Sequence, residues 1–144
     1  MYKFESSILI NRSPQDVFDF YTNPANNAQW QSGTESSQWI SDGPSGVGST
    51  IKTVVNFLGR KIEAELEVTD WDPPNQVRIK TISGPIPFEA MNTFKAQGGG
   101  TLLTSDVQAE LGGFFKLAEG LVGKQMEKQI QSDNSALKKL LESG

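Results

Sequence analysis

The chain has 144 residues, carries a net charge of -4 and contains neither cysteine nor histidine. Those two absences exclude His-based triads, zinc sites built from His and Cys, disulfides and thiol chemistry, so any catalysis would fall to carboxylates, Lys, Tyr, Ser or water. The acidic balance excludes a general nucleic-acid binder, since phosphate affinity needs a positive field and no basic cluster exceeds the pair Lys138-Lys139.

The opening residues, MYKFESSILINRS, show no basic region followed by an apolar run, so no signal peptide is expected. No stretch approaches the roughly 18 apolar residues of a membrane span. A cytoplasmic location is therefore expected. Residues 2–10 alternate, with Phe4, Ser6, Ile8 and Ile10 on one face and Lys3, Glu5 and Ser7 on the other, as in a half-buried strand. Ser13 then offers an N-cap and Pro14 suits a first helical position. The helix they open buries Val17, Phe18 and Tyr21 and stops near Asn23-Pro24. A second short helix, over residues 24–29, leads to Trp30.

Strands are expected at 35–41, 49–57, 60–71, 76–83, 87–96 and 101–111, separated by turn residues such as Leu58-Gly59 and Pro73-Pro74-Asn75. Short turns favour an antiparallel meander. The clearest alternation runs from Lys61 to Val68. It places Glu63, Glu65 and Glu67 on a solvent face opposite Ile62, Ala64, Leu66 and Val68. The glycine-rich segment Gly43–Ser49 lacks the Lys-Ser/Thr of a phosphate loop and precedes a strand, so it reads as a turn.

Gly112-Gly113 ends the alternation, and one amphipathic helix follows from Phe114 to Glu142, roughly 43 Å long. Phe115, Ala118, Val122, Met126, Ile130, Leu137, Leu140 and Leu141 share its apolar face. Gln129 and Asp133 intrude on that face. Leu117 and Leu121, beside Phe114, stand off it. Gly120 and Gly123 each cost on the order of 1 kcal/mol in a helix, which suggests a close approach or a kink. These elements predict one α+β domain over residues 1–144. A curved antiparallel sheet of about seven strands surrounds a long C-terminal helix, with two short helices after the first strand.

The ordered set of motifs resembles the SRPBCC superfamily, also called START-like or helix-grip proteins. The matching pieces are Ile8 to Pro14 running into Val17-Phe18-Asp19-Phe20, Asn23-Pro24 before Trp30, Gly46-Val47-Gly48-Ser49, and Leu58-Gly59-Arg60. Further along stand Trp71-Asp72-Pro73-Pro74, Gly99-Gly100-Thr101 and the close from Asp133 through Leu137-Lys138 to Glu142. The nearest subgroup is that of bacterial polyketide cyclase/dehydrase-like proteins. The resemblance implies a cavity between sheet and helix and no dedicated cofactor.

An apolar cavity lining is expected from Phe57, Ile79, Phe88, Phe94, Phe115, Val122 and Met126, each on an inward phase. Trp39 borders the expected opening and either packs or meets a ligand; Trp30 reads as a packing anchor. Asn92 shares the inward phase of Phe88 and Phe94, so its amide needs a water, a ligand or a neighbouring strand. Asp133 needs a hydrogen-bonding partner or a ligand that it anchors. Phe114, Leu117 and Leu121 ask for a cover, read first as an entrance flap from the loops near Gly43–Gly48 and Gly84–Phe88, and otherwise as a dimer contact.

Two functions stay open. One is a carrier or sensor of a small hydrophobic or aromatic molecule, lipid- or polyketide-like. The other is a cyclase or aromatase using the same cavity. An assembly or membrane-associated factor, like the member of the superfamily that serves carbon monoxide dehydrogenase, is a weaker third. The expected partners are a hydrophobic ligand and at most a second copy of the chain, with no nucleic acid, no metal and no stable membrane insertion.

Overall fold

The computed structural model describes residues 1–111, 113 and 118–143. The expectations placed on Phe114, Phe115 and Leu117 lie outside the described residues. Strand β1 (Tyr2–Ile10) is followed by helix α1 (Pro14–Tyr21), a 3₁₀ turn (Pro24–Asn26) and the four-residue helix α2 (Asn27–Trp30). Strands β2 (Thr34–Trp39), β3 (Thr50–Phe57), β4 (Arg60–Asp72), β5 (Gln76–Ser83), β6 (Phe88–Gln97) and β7 (Gly100–Ala109) then precede helix α3 (Glu119–Ser143).

The local starts follow from side-chain chemistry. Ser13 Oγ accepts the Asp16 amide at 3.2 Å and Pro14 needs no partner, so α1 begins there. Asn23 Oδ1 accepts from the Ala25 amide at 3.1 Å and opens the 3₁₀ turn. Leu58 and Gly59 both take positive φ, 52° and 75°, which lets two residues join β3 to β4.

The seven strands form one antiparallel curled sheet, a half-barrel, in the order β1-β7-β6-β5-β4-β3-β2. Its two edges are β1 and β2, which are consecutive in sequence, and α1 and α2 carry the chain from one edge to the other. The alternation read in β4 holds as far as Val68. There the register with β5 slips by one residue, so that Thr69 is extra. The slip reverses the phase and brings Trp71 to the same inner face as Val68, where both join the core.

Two apolar clusters pin α3 to the concave face. Toward its C-terminus, Leu137 and Leu141 pack with Ile10, Val17, Phe18, Trp30, Val68, Val77, Phe94 and Leu103. Toward its N-terminus, Val122 packs with Ile62, Ala109 and Leu111, with Met126 and Phe57 alongside. Gly123 is a close approach: a Cβ there would collide with the Tyr2 ring, whose hydroxyl donates to the Glu127 carboxylate. Gly120 faces open space, so the expectation of a close contact does not hold for it.

The far end of α3 is latched to the β1–α1 connection. Arg12 Nη1 donates to the Leu141 carbonyl at 2.7 Å, and the Asn11 amide donates to Glu142 at 2.8 Å. Lys138 Nζ reaches the Leu9 carbonyl at 2.6 Å. These contacts satisfy a carbonyl that a helix end leaves without an intrahelical partner.

A cavity between two cores

Between the two clusters, under the middle of α3, lies a cavity of about 360 Å³. The helix lines it with Met126, Gln129, Ile130, Asp133 and Asn134, the i, i+3, i+4, i+7, i+8 spacing of one helical face. This accounts for the polar residues on the apolar stripe: they look onto the cavity, whereas Val122 and Leu137 on either side look onto packed core. The sheet supplies apolar groups, among them Val55, Ile62, Leu66, Ile79, Ala90 and Val107. Tyr21, Asn27 and Trp30 close the side toward the short helices, Ile86 comes from the β5–β6 connection and Phe88 from the start of β6.

Of the residues singled out from sequence, Trp39, Phe57, Ile79, Phe88, Asn92, Met126 and Asp133 line the cavity. Phe94 and Val122 do not. Phe94, 2% exposed, meets the rings of Phe18 and Tyr21 edge-on at 5.2 and 5.5 Å, and Val122 is sealed in the N-terminal cluster. Both have the inward phase, but at their positions the concave face is covered by packed side chains. Leu121 is 66% exposed, and among the described residues no loop covers it. Ile86 and Phe88 of the second expected flap loop do line the cavity, whereas the Gly43–Gly48 loop contributes no lining residue.

Two polar groupings are built into the walls. Asn92 Oδ1 accepts from Tyr21 Oη at 2.9 Å and from Ser105 Oγ at 2.6 Å. Burial pushes the Tyr21 phenol up to about 12, while its contact with Ser105 pulls the other way. Tyr21 is thus a neutral donor across the physiological range. At the other grouping, Asp133 Oδ1 accepts from the Ser32 amide (3.1 Å), the Ser32 hydroxyl (3.2 Å) and Gln129 Nε2 (3.2 Å). Asp133 therefore ties α3 to the α2–β2 connection. Tyr21, Ser105 and Gln129 went unassigned from sequence. Only Gln129, a polar residue on an apolar stripe, carried a visible signal.

Desolvation raises the Asp133 carboxyl above its ordinary range, opposed by its three donors. The sign follows from linkage. The unfolded chain gives up this proton at lower pH than the folded chain, so the native state loses stability as pH rises from the ordinary aspartate range through the raised value. Above that value the penalty is constant. Asp133→Asn keeps an oxygen for Ser32 but cannot ionise. We expect the stability difference between variant and wild type to grow over that window and then level off. Urea unfolding from pH 3 to pH 7 measures it, and a pH-independent difference would contradict the assignment.

Among the described residues no group of three acidic, His or Cys side chains could hold a metal ion, and no helix is long and apolar enough to cross a membrane. Residues 1–142 match the family model described as polyketide cyclase / dehydrase and lipid transport. The chain belongs to that family. No curated protein sequence matches it. Among solved structures, TTHA0849 from Thermus thermophilus superposes with a TM-score of 0.84 at 19% identity, covering 99% of this chain and 98% of that one. A START superfamily protein from Mycobacterium smegmatis gives 0.83 at 15% identity over 99% of each chain. The Zhui aromatase/cyclase from Streptomyces sp. R1128 gives 0.75 at 15% identity, covering 98% of this chain and 93% of that one. At such identities these likenesses bear on the helix-grip fold alone. The family match makes ligand binding or a cyclase role the functional frame.

Proposed function

We propose that the chain binds a small, largely apolar molecule of aromatic or lipid-like character in the cavity beneath α3. The observation that carries this reading is a partly open, largely apolar cavity of about 360 Å³ between two packed clusters. The volume lies within the range of small-molecule sites, ~300–1,000 Å³, and the pairing of apolar walls with a few fixed polar groups is typical of them.

The cyclase reading draws on the family description and on the Tyr21–Asn92–Ser105 grouping, which could orient a reactive chain. It stands second because burial keeps the Tyr21 phenol protonated near neutral pH, which rules it out as a general base there. The uncharged dye N-phenyl-1-naphthylamine is expected to bind with saturable one-to-one stoichiometry and a blue-shifted emission. Native mass spectrometry of freshly purified protein would identify any retained molecule. A linear, unsaturable dye response would end the binding reading.

A further inference from the structure

Asn92 offers the cavity a fixed hydrogen-bond donor. Its Oδ1 accepts from two hydroxyls, Tyr21 Oη at 2.9 Å and Ser105 Oγ at 2.6 Å, so its amide nitrogen is turned away from both. Among the described residues that nitrogen donates to nothing. Trp30 Nε1 is also without a partner, but it has no accessible surface; the Asn92 nitrogen is not sealed in this way. Asn92 as a whole is 2% exposed and lines the cavity, so the little surface it keeps faces the cavity.

The donor is held in place. Asn92 stands on β6 opposite Ser105 of β7, between Ala90, which lines the cavity, and Phe94, which is packed in the C-terminal cluster. Tyr21, which holds the amide oxygen, is itself wedged against Trp30 and Phe94, with ring centroids 5.4 and 5.5 Å away. Binding to a donor fixed in advance requires little further ordering of the protein. A guest that covers it without bringing an acceptor leaves a buried N–H unpaired, which is costly, whereas an acceptor oxygen satisfies it. Among the described residues no Lys or Arg lines the cavity, and Asp133 is its only carboxylate. An anionic acceptor would therefore lose its hydration with no cation to replace it. We propose, on the basis of the binding function above, that Asn92 sets the specificity of the cavity by donating its amide to the carbonyl oxygen of an uncharged, otherwise apolar guest.

Two naphthalenes of matched shape test this by displacing N-phenyl-1-naphthylamine. One is the ketone 2-acetylnaphthalene; the other is 2-isopropenylnaphthalene, which has a methylene in place of the oxygen. Asn92→Leu should weaken the ketone on the order of tenfold and leave the alkene unchanged or tighter. Should that variant not fold, the wild type decides alone: the infrared carbonyl stretch of bound 2-acetylnaphthalene should lie below its value in hexane, as in a hydrogen-bonded ketone. At pH 7 the anion 2-naphthoate should bind the wild type at least about tenfold more weakly than the ketone. An unchanged ratio of ketone to alkene affinity in folded Asn92→Leu, a carbonyl stretch at the hexane value, or equal binding of 2-naphthoate would overturn the proposal and leave the cavity reading standing. Failure of the dye itself to bind would remove both.

Discussion

Replacing Ala90 with Phe is expected to abolish saturable dye binding, weakening it by at least about tenfold, and to leave the fold intact. Ala90 lies on β6 in register with Ile79 of β5 and Val107 of β7, and all three line the cavity. A phenyl group added there grows into the void. Small-to-large changes in packed cores typically cost roughly 1–3 kcal/mol, because neighbours must move. Here the space already exists, so the urea midpoint should stay close to that of the wild type. Dye titration alongside far-UV circular dichroism provides the measurement. Undiminished binding in a folded Ala90→Phe variant would place the dye elsewhere and defeat the cavity as the binding site.

The opposite result is expected at Phe18. Its side chain is 1% exposed and meets Trp71 and Phe94 edge-on, both with ring centroids 5.2 Å away. It thereby ties α1 to β4 and β6. Phe18→Ala should cost about 3–5 kcal/mol, against a total of roughly 5–15 kcal/mol for a domain of this kind. Equilibrium urea unfolding should show a large drop in midpoint with little change in slope. A loss below about 1 kcal/mol would mean that the aromatic cluster is not the core described.

The architecture was legible because it rests on local periodicities. Strict alternation from Lys61 to Val68 marks one solvent face and one buried face whatever the strand pairs with. Ser13-Pro14 likewise announces a helix without help from the rest of the chain. The extra residue at Thr69 was not legible, because a bulge is a property of the β4–β5 pair and β4 alone gives no sign of it. The same limit governs the site. Inward phase was readable for both Asn92 and Phe94, two residues apart on β6. Which of them meets the cavity depends on where Phe18 and Tyr21 cover the sheet. The partners of Asn92 are Tyr21 and Ser105, brought in from other elements by topology, and no short motif links them. Asp133 was visible as an anomaly, and its bond to Ser32 explains that anomaly only once the α2–β2 connection is seen beside α3.

A helix packed into an apolar cluster toward each end and bordered by a cavity between them also separates two kinds of mutation. Changes at Leu137, Phe18 or Val122 strike the clamps and are read out as lost folding. Changes at Leu66, Ala90 or Val107 strike a cavity wall that belongs to neither cluster, so they can reshape what fits without loosening either clamp. Effects at sites that share no neighbours tend to add, so substitutions in the wall should combine freely with stabilising ones in the clamps. Such a scaffold can drift from one guest molecule to another by single steps, each of them folded. It is a favourable starting point for laboratory selection of new binding specificities.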